Sequence, residues 1–225
     1  MATLTIHGLE LWHDTLGTQG SPVLMLHGNG EDHRSLLPLA RRLARHHVVH
    51  LLDSRNHGRS GRHADCSYAA MARDTAAFID AQGTGPLAIV GFSDGAIIAL
   101  LLALARPELV TRLALLGPNL SPADFKPEAR AWIESQWAAT QDPLMQLMLT
   151  QPDIPLAELR RIDVPAWVVA GEDDACPRSV FEAIAAHLPQ GRLSVLPGHD
   201  HASYIFGSDA LAKPLRAFLA EGQPA

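Results

Sequence analysis

The apolar positions of this chain fall into two kinds of stretch that alternate along its length. Short continuous runs, rich in Val, Ile and Leu, predict strands buried on both faces, because a half-buried strand would alternate apolar and polar residues. Longer stretches with apolar residues three and four apart predict helices. The buried strands are predicted at residues 22–26, 48–52, 87–90, 110–116, 166–170 and 193–196. Strands that alternate with helices predict βαβ units, an α/β fold with a mostly parallel sheet.

The N-terminal residues follow a different pattern, in which apolar and polar positions alternate on both sides of His7 and Gly8. This pattern predicts an antiparallel hairpin with strands at residues 3–7 and 9–13. Helices are predicted at residues 33–46, 67–81, 96–105, 178–187 and 208–220. Asp32 and Ser67 stand where the first two of these helices would begin, and both residue types favour a helix N-cap.

Between Asn119 and Pro155 the pattern changes, because prolines divide two helical segments and no strand is predicted. The helical segments span residues 128–140 and 143–150. Their apolar side is formed by Trp132, Ile133, Trp137, Leu144, Leu147 and Met148. We interpret residues 119–155 as a helical insertion between two core strands of a single domain that spans residues 1–225.

The turn Gly91-Phe92-Ser93-Asp94-Gly95 joins a predicted buried strand to a predicted helix. Glycines at its ends let the strand and the helix approach closely, which holds Ser93 in a strained conformation with its hydroxyl exposed. The pattern alone is weak evidence, since about 0.07 chance matches are expected in a chain of this length. Ser93 could therefore be a nucleophile, or a helix-capping residue in a ligand-binding turn.

Polar side chains with catalytic chemistry follow other predicted strands, at the sheet edge where parallel strands end. A serine hydroxyl needs a base to take its proton, and an imidazole in turn needs a carboxylate to orient it. His201 and His199 are the candidate bases, and Asp174 and Asp173 are the candidate carboxylates. A surface loop would also explain these residues, and a metal site there would lack ligands at recognisable spacing.

Four motifs in this order resemble the α/β-hydrolase superfamily, in particular small bacterial serine esterases and valacyclovir-hydrolase-like enzymes. They are His27-Gly28-Asn29-Gly30, the loop at residues 53–60, the turn at residues 91–95, and Gly171-Glu172-Asp173-Asp174 followed by Pro197-Gly198-His199-Asp200-His201. The resemblance implies a three-layer α/β-hydrolase fold in which the helical insertion is a short lid. The chain departs from the family pattern at Asn56, where a glycine is common, and in the shortness of this lid.

The same resemblance implies roles for individual residues. Ser93 would be the nucleophile, His201 the general base and Asp174 the orienting acid, with the backbone N–H groups of Asn29 and Asp94 as the oxyanion hole. The implied reaction is hydrolysis of a small carboxylic ester, or an amide or thioester, through an acyl-enzyme on Ser93 without a cofactor. The same triad would also suit a C–C bond hydrolase, an aminopeptidase or a perhydrolase, and outside enzymes the fold can serve as a ligand receptor.

The substrate contacts are predicted from the lid and from the residue after the nucleophile. Part of the apolar side of the lid, with Trp132, Trp137, Leu144 and Met148, would line an acyl pocket. The Asp94 carboxylate could pair with a substrate ammonium group. Alternatively, it could simply interact with the N-terminal dipole of its helix.

Composition narrows the partners further. The 225 residues include 18 Lys and Arg against 24 Asp and Glu, a net charge of -6, with no dense basic patch for nucleic acid or an anionic membrane. Cys66 and Cys176 form no CxxC pair and are expected to be free thiols in a reducing compartment. The first residues lack the features of a signal peptide, and no apolar run is long enough to span a membrane, so a cytoplasmic location is expected.

Overall fold

The computed structural model describes residues 2–206, 208 and 210–221, and its core is one eight-stranded sheet. The strands are β1 (Ala2–Ile6), β2 (Leu9–Leu16), β3 (Pro22–Leu26), β4 (Val48–Leu52), β5 (Leu87–Phe92), β6 (Val110–Leu116), β7 (Ala166–Asp173) and β8 (Gly191–Asp200). Their spatial order is β1-β2-β4-β3-β5-β6-β7-β8. The pairs β1–β2 and β2–β4 are antiparallel and all other pairs are parallel, which confirms the predicted α/β fold with an N-terminal hairpin.

The described part of the chain also contains seven α-helices and four short 3₁₀ helices. The α-helices are α1 (Leu37–Leu43), α2 (Tyr68–Gln82), α3 (Asp94–Ala105), α4 (Pro127–Thr140), α5 (Pro143–Thr150), α6 (Arg178–His187) and α7 (Ala212–Ala220). In the part of the chain that the structure describes, no helix combines the length and the apolar character that crossing a bilayer requires.

The sheet separates two apolar clusters, as expected when both faces of a parallel sheet are covered by helices. Neighbouring residues of one strand contribute to opposite clusters, because side chains alternate along a strand. Val23 and Met25 of β3 thus belong to one cluster with α1 and α7, while Leu24 and Leu26 belong to the other with α2, α3 and α6. The three layers therefore follow from the continuous apolar runs.

Two helices begin later than the sequence indicates. A 3₁₀ turn at His33–Ser35, capped by the Asp32 carboxylate, precedes α1, so the predicted helix at residues 33–46 is divided. Pro38 lies in the first turn of α1 and lacks the N–H group that would continue the helical hydrogen bonds backwards. The closing helix α7 begins at Ala212 rather than at residue 208, while residues 207 and 209 lie outside the described residues.

Candidate active site

Ser93 lies at a sharp turn between β5 and α3, with φ +52° and ψ −115°. Such a positive φ costs a non-glycine residue about 1–3 kcal/mol and persists only when its surroundings hold it. The Ser93 N–H group donates to Leu116 O at 2.8 Å, which anchors the turn to β6. A Cβ on Gly91 would lie 2.2 Å from Gly95 O, and a Cβ on Gly95 would lie 2.2 Å from Leu26 O. The turn therefore requires both glycines.

His201 connects Ser93 to Asp174 by two hydrogen bonds. The imidazole Nδ1–H donates to Asp174 Oδ1 at 2.6 Å, and the Ser93 hydroxyl donates to Nε2 at 3.1 Å. The Asp174 carboxylate also accepts the backbone N–H groups of Gly171 and Ala175, each at 2.8 Å, and its side chain is 1% exposed. Two of these four hydrogen bonds hold the Asp174 carboxylate, and the other two hold the imidazole in the tautomer that can take a proton from Ser93.

The alternative candidates for the base and the acid lie elsewhere. Asp173 has an 88% exposed side chain that forms an ion pair with Lys126 at 2.7 Å. His199 Nδ1 lies 3.1 Å from the hydroxyl of Ser203. In the sequence, Asp173 is adjacent to Asp174 and His199 is two positions before His201. Local side-chain direction therefore separates the two pairs of candidates.

Gly117 has a role that the sequence did not indicate. It follows β6 with φ +63°, and its N–H group donates to Val169 O at 2.8 Å. A Cβ there would lie 2.6 Å from Cε1 and 2.8 Å from Nδ1 of His201. Because Gly117 has no side chain, the imidazole of His201 can occupy this space.

We expect Gly117→Ala to lower kcat by about 100-fold, because displacing the imidazole by about 1 Å misaligns the proton transfer. Gly83→Ala is a matched control, since Gly83 has the same φ of +63° but no atom within 4 Å of its Cβ position. Both variants should lose about 1 kcal/mol of unfolding free energy from the strained φ. Steady-state kinetics and urea denaturation separate the two effects. Equal kcat values for both variants would contradict this prediction.

Asn29 and Asp94, whose backbone N–H groups are predicted to form an oxyanion hole, are joined by a side-chain hydrogen bond. Asn29 Nδ2 donates to Asp94 Oδ2 at 2.8 Å and to Leu144 O at 3.1 Å, so one amide joins the loop after β3 to the starts of α3 and α5. Gly30 takes φ +68° in the turn that this loop makes. Within residues 2–206, neither the Asn29 nor the Asp94 backbone N–H donates a hydrogen bond to another residue. Both groups therefore remain available to an anion.

The Asp94 carboxylate is closed off from the cavity beside Ser93, which argues against its pairing with a substrate ammonium. The residue is 4% exposed, and its Oδ1 accepts the hydroxyl of Tyr68 at 2.8 Å while Oδ2 accepts Asn29. Burial raises the pKa of Asp94 to about 6, against the opposing effect of these two hydrogen bonds. Tyr68, in the first turn of α2, is a buried partner that the sequence did not indicate.

The raised pKa of Asp94 predicts a pH dependence of stability. The folded state binds this proton more tightly than the unfolded state, so the group's contribution is present at low pH and is lost as pH rises through about 6. The unfolding free energy of the wild type, relative to Asp94→Asn, should therefore fall by about 1 kcal/mol between pH 5 and pH 7.5. Urea denaturation of both proteins at the two pH values measures this difference. A difference that is independent of pH would show that Asp94 keeps an ordinary pKa.

A cavity of about 280 Å³ opens beside Ser93 and His201, and its walls are mainly apolar. The other lining residues are Asn29, Glu31, Phe92, Phe125, Ala129, Trp132, Ile133, Met145, Met148, Ala175 and Ala202. Of the four lid residues predicted to line an acyl pocket, Trp132 and Met148 line this cavity, whereas Trp137 and Leu144 do not. Trp137 lies a full helical turn beyond Ile133 on α4. Leu144 instead lines a neighbouring cavity at the start of α5.

The polar loop after β4 is held by hydrogen bonds within the protein. Asp53 is fully buried and accepts the backbone N–H groups of His33 at 2.7 Å and Arg59 at 2.9 Å. Arg55 donates twice to the buried Asp74, at 2.6 and 2.7 Å. These charged residues thus hold the loop in place. Among the described residues, no group of three or more His, Cys, Asp or Glu side chains is arranged to hold a metal ion.

Comparison with known proteins places this geometry in context. A family model described as alpha/beta hydrolase fold matches residues 21–142, more than half of the chain. RutD of Azorhizobium caulinodans is 29% identical, over 94% of this chain and 96% of that protein. The pimeloyl-[acyl-carrier protein] methyl ester esterase of Xanthomonas campestris is 26% identical, over 92% and 98%. A thermophilic esterase from Thermogutta terrifontis superposes with a TM-score of 0.81 at 22% identity, covering 98% of each chain.

Proposed function

The chain belongs to the alpha/beta hydrolase fold family, and on this basis we propose that it is a serine hydrolase that cleaves small carboxylic esters. Esterases are among its full-length relatives. The observation that carries the proposal is the unbroken hydrogen-bonded series from the Ser93 hydroxyl through His201 to the buried Asp174, at the wall of an apolar cavity. Such a series activates a hydroxyl that is otherwise a poor nucleophile.

In the first half of the reaction, the ester carbonyl carbon is attacked by the Ser93 oxygen while His201 Nε2 takes the hydroxyl proton. The negative charge that develops on the carbonyl oxygen is stabilised by the backbone N–H groups of Asn29 and Asp94. The carboxylate of Asp174 stabilises the imidazolium. His201 then gives its proton to the departing alkoxy oxygen, which leaves as an alcohol and yields an acyl-Ser93.

The second half of the reaction restores the enzyme by hydrolysis. A water molecule attacks the acyl carbon and gives one proton to His201 Nε2. The same two N–H groups stabilise the second tetrahedral intermediate. Its collapse releases the carboxylic acid and returns the proton from His201 to the Ser93 oxygen, so the protein is unchanged after one turnover.

The shape of the cavity supports a small substrate group beside Ser93. Its volume of about 280 Å³ lies near the lower end of the range for ligand sites. Met145 and Met148 of α5 and Trp132 of α4 cover it, and methionine side chains adapt to groups of different shape. We therefore assign α4 and α5 the role of a short lid that defines the size of the apolar part of the ester.

The proposal is tested by labelling the intact protein with a fluorophosphonate and mapping the adduct by mass spectrometry. The expected result is one adduct, on Ser93, whose formation is slowed by short-chain esters such as p-nitrophenyl butyrate. The protein should also hydrolyse that ester. An adduct on another residue, or binding of the ester without turnover, would contradict the proposal, and the second outcome would favour a ligand receptor.

A further inference from the structure

A second cavity, of about 460 Å³, adjoins the one beside Ser93, and Glu31 lines both. Its lining is more polar than that of the first cavity, since half of its lining residues carry polar or charged side chains. Its walls are formed by Gly30, Glu31, Asn56, His57, Gly58, Arg62, His63, Ala64, Cys66, Asp142, Pro143 and Leu144. A substrate whose carbonyl group lies at Ser93 can therefore extend past Glu31 into a polar compartment.

Glu31 is a half-buried carboxylate at the boundary between the two cavities. Its Oε2 accepts the N–H group of Gly28 at 3.2 Å. In the described part of the chain it forms no ion pair with a lysine or an arginine. Burial raises the pKa of Glu31, and this effect outweighs the opposing influence of the nearby His201 imidazole. A ligand cation would supply the missing countercharge.

His57, on another wall of the polar cavity, has a hydrogen-bond acceptor without a donor. The residue is 3% exposed, and its Nδ1–H donates to Arg55 O at 2.8 Å. Burial lowers the pKa of His57 to about 4, so the ring is neutral at pH 7 and Nε2 carries a lone pair. Within the described residues this buried Nε2 atom has no hydrogen-bond partner. A buried acceptor of this kind is costly unless a ligand satisfies it.

A third acceptor belongs to Asn29, which lines the apolar cavity together with Glu31. Asn29 uses both N–H groups of its side-chain amide, toward Asp94 and Leu144, and its buried Oδ1 has no partner among the described residues. Arg62 also lines the polar cavity and carries a positive charge, but its side chain is exposed to solvent. The unsatisfied groups at and beside Glu31 are therefore acceptors, which favours a ligand that is both positively charged and a donor of several hydrogen bonds.

We propose that the polar cavity between Glu31 and His57 binds a primary ammonium group of the substrate. The preferred ester therefore carries an amino group that lies outside the apolar cavity while its carbonyl group lies at Ser93. This inference rests on the proposed esterase function and adds the substrate class to it. The ammonium donates to the Glu31 carboxylate and to His57 Nε2. Because the Asp94 carboxylate is already hydrogen-bonded and buried, it takes no part in this binding.

The test uses matched esters that differ only in replacing the ammonium by a methyl group. Methyl 6-aminohexanoate and methyl heptanoate place the group on the acyl side, and 6-aminohexyl butyrate and heptyl butyrate place it on the alcohol side. The readout is the kcat/KM of the amino ester divided by that of its methyl partner. In Glu31→Gln this ratio should fall about tenfold or more for one of the pairs, because a charge-assisted hydrogen bond is lost.

Two further variants make the test specific. Asp142→Asn removes an equal charge from another half-buried wall of the same cavity, where Asp142 Oδ1 already accepts the Leu144 N–H group at 2.9 Å as the cap of α5, so it should change the ratio less than about twofold. Glu31→Asp keeps the charge and should retain part of the preference. An equal effect of Asp142→Asn, or a ratio unchanged in Glu31→Gln while methyl heptanoate is still hydrolysed, would overturn the inference alone. Absence of hydrolysis of both methyl partners and of p-nitrophenyl butyrate would overturn the proposed esterase function.

Discussion

Replacing Ser93 by alanine should lower kcat for p-nitrophenyl butyrate by about 10⁴- to 10⁶-fold. Without the hydroxyl, no acyl-enzyme can form, and only the oxyanion hole and substrate binding remain to accelerate attack by water. His201 and Asp174 remain in place, yet they contribute little, because the members of a triad act as one unit. Steady-state kinetics at substrate saturation measure this loss, and the fluorophosphonate adduct should disappear with it.

Stability measurements separate this chemical effect from a structural one. Alanine keeps the strained φ of +52° and removes only the bond to His201, so the unfolding free energy should change by less than about 0.5 kcal/mol. Ser93→Gly should be at least as inactive but more stable, because glycine adopts a positive φ without strain. Residual activity above about 1% in both variants would show that another group acts as the nucleophile.

Asp174→Asn should lower kcat by about 10⁴-fold, the size of effect seen when the orienting acid of a serine triad is made neutral. Oδ1 of Asp174 accepts from His201 and Ala175, and Oδ2 accepts from Gly171. Both oxygens therefore face N–H donors, and an asparagine amide must direct its NH₂ group toward one of them in either orientation. The variant should also lose about 1–3 kcal/mol of unfolding free energy, since a buried donor is left without an acceptor.

The neighbouring carboxylate provides the control. Asp173→Asn removes the same charge one residue away, where the side chain is exposed and paired with Lys126 on the surface. We expect kcat to change less than about twofold, because an exposed ion pair contributes little. Kinetics of the two variants on one ester compare them directly. A larger loss in Asp173→Asn would assign the orienting role to Asp173 and refute the geometry proposed for the site.

Most of the fold could be predicted from the sequence, because it depends on local patterns. Continuous apolar runs indicated strands covered on both faces, and the structure places helices on both sides of them. The boundaries were less predictable where a single residue interrupts the helical hydrogen bonds, as Pro38 does in the first turn of α1. The turn around Ser93 was also accessible, since Gly91 and Gly95 must lack a Cβ for β5 and α3 to approach each other.

What the sequence by itself determined, then, is the set of elements and the short motifs at their ends. The tertiary structure alone decided which neighbours within a motif meet. Asp174 and Ser93 contact His201 from 27 and 108 residues away, and nothing in the residue types themselves distinguishes Asp174 from Asp173. Gly117 and Glu31 likewise acquire their significance from side chains distant in sequence. The physical reason is that the periodicity of apolar residues shows which side of an element is buried, whereas catalysis depends on which side chains from distant parts of the chain come into contact.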